Sequence, residues 1–289
     1  ALLSAWIVVV RLRRSWWAAG PGSQYAGVRA VALDFDGTIA DSMGFLTDLA
    51  VGLLVDELGF ETAAASREYL ATAGSTFATQ LDEMAPADLR LAQVASRFEA
   101  EKTHWMGRCE MFTDVVPALD RLAAAGIPVL LCSSTRAPLV REFCERYGLL
   151  HKFTAVDGWV PGHSKSVQLV SGIADLGFVG HEVVFVGDAR RDVDVARVAG
   201  TRFVGLVRAG HPDGLAGSGA RVVGSLSELA VALVQTVRYP VRREVHERDP
   251  VLAPPVDVLI DLGASIEHPG DRGAGDGVGG EHFGRAAVD

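Results

Sequence analysis

The chain has 289 residues and a mass of 30.6 kDa, enough for one large domain or a domain carrying an insert. Hydrophobic residues make up 49% and charged residues 22%, as in ordinary soluble globular proteins. The net charge of −9 argues against a nucleic-acid partner held by phosphate contacts. No apolar run reaches the roughly 18–20 residues a membrane span requires. Cys109, Cys132 and Cys144 show neither a disulfide framework nor a zinc spacing. A reduced, cytoplasmic protein is therefore expected. Basic residues are lopsided, 24 arginines against Lys102, Lys152 and Lys165, so a mechanism needing lysine has few candidates.

In chain order, residues 1–27 open with an apolar run, Trp6 to Val10, that precedes Arg11, Arg13 and Arg14. A secretory signal has the reverse order, so these residues read as an N-terminal extension. A membrane-surface segment anchored by Trp16 and Trp17 is the other reading. Strands are expected over 28–33, 127–132, 153–156, 182–186, 201–206 and 221–223. Helices are expected over 115–125, 189–199 and 226–237. Residues 43–108 show helical periodicity and no convincing strand, so a helical block interrupts the alternation after the first strand. Residues 240–289 hold eight glycines, five prolines and ten acidic residues, and are expected to be mostly disordered. The fold class is α/β, a Rossmann-like parallel sheet with helices on both faces. Its core falls in 28–42 and 109–239.

Chemistry concentrates at the strand ends. The first strand runs into Asp34-Phe35-Asp36-Gly37-Thr38, and residues i and i+2 share a face, so Asp34 and Asp36 are expected to project together. Paired carboxylates call for a cation or a shared proton, and a hard divalent ion such as Mg²⁺ suits oxygen ligands. Gly37 permits a sharp turn, and Thr38 is placed to hydrogen-bond the local backbone. A calcium loop of the EF-hand type fails here, because its sixth and twelfth positions are Ile39 and Phe45. The second strand ends in Ser133-Ser134-Thr135, either a phosphate cradle or a plain Ser-rich loop. The fourth strand ends in Gly187-Asp188, with Asp192 four residues on, either metal ligands or helix caps. Lys165 reads as a site lysine or as an exposed one.

Taken together, these motifs resemble the haloacid dehalogenase superfamily, in the branch with a helical cap inserted after the first motif, and phosphoglycolate phosphatase within it. Asp34 to Thr38 match the first motif, Ser133 the second, Lys165 the third, and Gly187-Asp188 with Asp192 the fourth. The resemblance spans about residues 29–237. It implies Asp34 as nucleophile, forming an aspartyl-phosphate, and Asp36 as acid and then base. It implies Mg²⁺ held by Asp34, the Asp36 carbonyl and Asp188, with Asp192 in support. Lys165 would balance charge, and Ser133 would bind phosphoryl oxygens. Gly37, Thr38, Ser134, Gly74 and Ser75 are the expected substrate-binding residues. Arg67, Arg90, Arg97, Lys102 and His104 of the cap are possible contacts for an anionic substrate, most of them solvated. The implied activity is hydrolysis of a small phosphorylated metabolite. A sugar phosphomutase and a catalytically idle binding module are the alternatives.

Overall fold

A computed structural model describes residues 25–238. Six strands form one parallel sheet, β1 (Ala30–Leu33), β2 (Val129–Leu131), β3 (Ala155–Val156), β4 (Val183–Gly187), β5 (Arg202–Leu206) and β6 (Val222–Val223), in the order β3-β2-β1-β4-β5-β6. That is the doubly wound order, which reverses direction between β1 and β4 and opens a crevice at their carboxyl ends. Both faces of the sheet are covered. Val31, Leu33, Val184 and Val186 pack on one face, with α5 (Val115–Ala124), α6 (Ala137–Arg146) and α9 (Leu226–Arg238) over it. Ala30, Ala32, Val183 and Phe185 face the other side, under α7 (Lys165–Asp175) and α8 (Arg190–Ala199). Continuous apolar strands follow from this double burial.

Between β1 and α5 stand α1 (Met43–Leu58), α2 (Thr62–Thr72), α3 (Phe77–Met84) and α4 (Leu91–Met106). Gly59 ends α1 in the left-handed region at φ 74°, and its N–H and that of Phe60 close on the Val55 and Leu54 carbonyls. Glu61 and Thr76 cap α2 and α3 through their side chains. The block buries its own apolar cluster, which includes Leu54, Phe77, Leu81 and Phe98.

The expected strands appear, trimmed by a residue or two, except that β4 starts one residue later and runs one residue further, to Gly187. Tyr25, read from sequence as part of the extension, is buried in the main core beside Val28. Residues 1–24 of that extension and the acidic tail lie outside the described residues. No helix among those described is long and apolar enough to cross a membrane.

Candidate active site

The strand-order reversal brings Asp34, just past β1, beside Asp188, just past β4. The Asp34 N–H donates to the Val186 carbonyl at 2.8 Å, extending the pairing one step beyond the strand. The chain then turns, with the N–H groups of Thr38, Ile39 and Ala40 all directed at the Phe35 carbonyl. Gly37 occupies the left-handed region at φ 71°, and a Cβ there would overlap the Asp188 carboxylate. Both requirements select glycine. Gly187 meets a similar limit, since a Cβ would strike the Asp192 carboxylate.

Lys165, the first residue of α7, is buried and bridges Asp34 Oδ1 at 2.7 Å and Asp192 Oδ1 at 2.9 Å. Asp192 also accepts the Ala189 N–H at the start of α8, so this side chain caps a helix and holds the lysine. Oxygens of Asp34, Asp188 and Asp192 lie within 4.8 Å of one another. One lysine does not balance this cluster. Burial pushes the Asp34 carboxyl up to about 7 against the pull of Lys165, with Asp192 adding to the rise. Burial and the neighbouring Asp34 likewise push Asp188 well above the carboxylate range. Burial would lower Lys165, but Asp192 and Asp34 outweigh it and raise its pKa. Crowded hard oxygen donors of this kind fit a divalent cation such as Mg²⁺.

Asp36 lines the same cavity as Asp34, but its carboxylate keeps other company. Ser42, at the N-cap of α1, makes no capping bond and donates instead to Asp36 Oδ1 at 2.8 Å. Lys102 Nζ lies 3.0 Å from Oδ2, and the Thr135 hydroxyl donates to that same oxygen. Burial alone would raise the Asp36 pKa. The Lys102 ammonium with the Thr135 and Ser42 hydroxyls outweighs it and holds the carboxyl below its ordinary range. The carboxylate cluster is thus completed by Asp192, with the Asp36 side chain turned away.

The cavity has a volume of about 40 Å³. Gly74, Ser75 and Ser134 line it together with Asp34, Asp36, Lys102, Lys165 and Asp188. Ser134 Oγ donates to the Gly74 carbonyl at 2.7 Å, joining the helical block to the sheet edge. A wider cleft of about 280 Å³ adjoins it, sharing Gly74, Ser75, Ser134 and Lys165 and walled by Trp159 and Arg191.

Ser133 is fully buried and does not line the cavity. Its backbone N–H and carbonyl are both held by the Gln168 amide, and its hydroxyl accepts the Thr135 N–H at 2.9 Å. The expectation for Thr38 requires correction: its buried hydroxyl has no hydrogen-bond partner, and its bond to the local backbone is made by its N–H to the Phe35 carbonyl at 3.3 Å. Neither Thr38 nor Gly37 lines the cavity. Among the cationic residues of the block, Arg67, Arg90, Arg97 and His104 are exposed. Arg90 pairs with Asp88 and Arg97 with Glu57.

Sequence reasoning placed Thr135 in the candidate phosphate cradle but missed its bond to Asp36, and it missed Gln168 and the inward turn of Lys102. Gln168 stands three residues beyond Lys165, one turn along the same helix face, and that spacing was available as a signal.

Residues 31–206, more than half the chain, match the haloacid dehalogenase-like hydrolase family. The chain is 30% identical over 194 residues to a phosphoglycolate phosphatase of Photorhabdus laumondii, covering 62% of this chain and 80% of that protein. It is 25% identical over 208 residues to that of Yersinia pseudotuberculosis, covering 66% and 89%. The crystal structure of a predicted phosphatase from Clostridium acetobutylicum superposes with a TM-score of 0.58 at 20% identity, covering 72% and 99%. The chain belongs to the haloacid dehalogenase-like hydrolase family and is an enzyme of its phosphatase type.

Proposed function

We propose that this protein is a Mg²⁺-dependent phosphatase that hydrolyses a small phosphorylated metabolite, of the phosphoglycolate or sugar-phosphate type, through a phosphoryl group carried on Asp34. One observation carries the reading: the Asp34 carboxylate, steadied by Lys165 at 2.7 Å, shares one small cavity with Asp36 and Asp188. The two relatives from Photorhabdus laumondii and Yersinia pseudotuberculosis, both phosphoglycolate phosphatases, support the substrate class.

In the first step an Asp34 oxygen forms a bond to phosphorus while the bond to the leaving oxygen breaks. Asp36 relays to that oxygen the proton that arrives with the ester monoanion. In the second step Asp36 takes a proton from water, the water oxygen bonds to phosphorus, the bond to Asp34 breaks, and Asp36 passes the proton to the departing phosphate. The carboxylate is restored and inorganic phosphate departs. A positioned acid–base group of this kind is worth roughly 10²–10⁴-fold. Lys165 keeps Asp34 oriented between turnovers and offsets its charge. Ser134, on the cavity wall, and the buried Ser133 next to it would bind oxygens of the transferring group. Asp34, Asp188 and the Asp36 carbonyl would hold Mg²⁺, with Asp192 behind them. When bound, the ion supplies charge neutralisation for the phosphoryl oxygens.

The helical block, 43–108, serves as a cap that excludes water and reads the leaving group through Gly74 and Ser75. The core comprises 28–42 and 109–239. A cytoplasmic setting suits three buried, free cysteines.

A panel of phosphorylated metabolites, assayed for phosphate release with Mg²⁺ and with chelator, tests the reading. The expected result is steady release that chelation silences reversibly, with no bisphosphate primer. Dependence on such a primer, with an isomerised sugar phosphate as product, would identify a mutase instead. No turnover of any ester would leave a binding module.

A further inference from the structure

Lys102 sits where a core residue belongs. The buried positions of α4 are Val94, Phe98, Lys102 and Met106, one every four residues, the stripe a helix turns inward. Three are apolar and the third is a lysine with 6% exposure. Lysine is almost never so buried without a partner, and a local choice that conflicts with the packing pattern marks function. Its partner is Asp36. The ammonium donates to Asp36 Oδ2 at 3.0 Å and to the Thr135 hydroxyl, which donates to that same oxygen. Ser42 holds the other oxygen.

We infer that Lys102 is a positioning residue for Asp36, aiming its carboxyl at the leaving-group oxygen from the helical block. The inference rests on the phosphatase reading proposed above. Lysines are thereby divided between the steps of the motif, Lys165 serving Asp34 and Lys102 serving Asp36. Other ties join block and sheet edge, Ser134 to Gly74 and Arg191 to Glu83. Among the described residues, the tie made by Lys102 is the one that ends on Asp36. Removing the ammonium leaves Oδ2 with a neutral hydroxyl alone and frees the carboxyl to turn.

The test compares an alkyl phosphate, which needs its leaving oxygen protonated, with an activated aryl phosphate, which does not. Lys102→Met keeps the buried stem, and Lys102→Gln keeps a donor should the Met variant fail to fold. Either change is expected to lower the single-turnover rate of leaving-group release by roughly 10–100-fold for the alkyl ester and by less than about threefold for the aryl ester, whose first step needs no acid. Lys102→Arg should restore most of the alkyl rate. In an Asp36→Asn background, Lys102→Met should cost less than about twofold more, because the two act as a unit. Equal losses on both esters, or additive losses in the double variant, would overturn the inference and make Lys102 a structural tie. Unchanged alkyl turnover in Lys102→Met beside a collapsed Asp36→Asn would also overturn it, leaving the phosphatase reading intact. Full alkyl turnover in Asp36→Asn would overturn both.

Discussion

The carboxyl edge of the sheet and the helical block above it are held together by opposite physics. At the edge, Asp34, Asp188 and Asp192 crowd around a single buried lysine, and burial drives Asp34 up to about 7. That arrangement works against folding in the absence of a cation. The block instead buries an ordinary apolar cluster, with Phe77 stacked on Phe98 at 4.1 Å and its charges mostly outside. The contrast teaches that stability and chemistry sit in different parts of one fold. Changes at the edge should disturb activity more than stability, and changes in the block the reverse. Lys102 is the exception that joins them.

The largest effect on activity is expected from Asp34→Asn, which keeps volume but removes the attacking oxygen. Turnover should fall by at least about 10³-fold while cooperative unfolding persists, as activity assay and calorimetry together would show.

Asp188→Asn comes next and breaks the comparison from the other side. It should weaken Mg²⁺ binding by roughly 10–100-fold, with excess Mg²⁺ recovering part of the rate. The same variant should stabilise the chelated protein, and the sign follows from linkage. Folded Asp34 and Asp188 keep protons that the unfolded chain has released above about pH 4. The folded state therefore binds more protons, so the wild type loses stability as pH rises from about 4 to about 7. Asp188→Asn removes one of the two groups. Chelated wild type should lose more stability than the variant across that window in denaturant titrations.

Leu81→Ala tests the block. Leu81 is fully buried in the block's cluster, so truncation should cost roughly 2–5 kcal/mol. Mg²⁺ affinity in the folded protein should stay within about twofold. Arg97→Ala should do least, within about 0.5 kcal/mol, because its pairs with Glu57 and Glu101 lie on the surface.

Much of the edge was legible because it is written in short, contiguous motifs. Asp34 and Asp36 two residues apart, and Asp188 followed by Asp192, announce themselves wherever they fall in the chain. Apolar runs such as Val183 to Val186 mark buried parallel strands equally well. What sequence left dark depends on distant partners. Asp192 looked like a cap or a support and is both, which only the approach of Lys165 reveals. Lys102 looked like one more cation on a solvated face until helix packing turned it toward Asp36. Thr38 bonds the local backbone through its N–H, whereas its hydroxyl is buried without a partner, a placement set by the packing around the turn. Tyr25 adjoins a stretch with no clear pattern, and its place in the core is set by tertiary packing that composition does not record.

The central claim is that Asp34 carries the phosphoryl group. Asp36→Asn should slow the second step, so the phosphoenzyme accumulates when this variant is mixed with Mg²⁺ and an activated aryl phosphate. Acid quenching, proteolysis and mass spectrometry then locate the added phosphoryl group. The account predicts it on Asp34, and predicts its absence from the double variant with Asp34→Asn. Turnover with no phosphorylated peptide, or with the group on Ser133 or any other residue, would contradict the account.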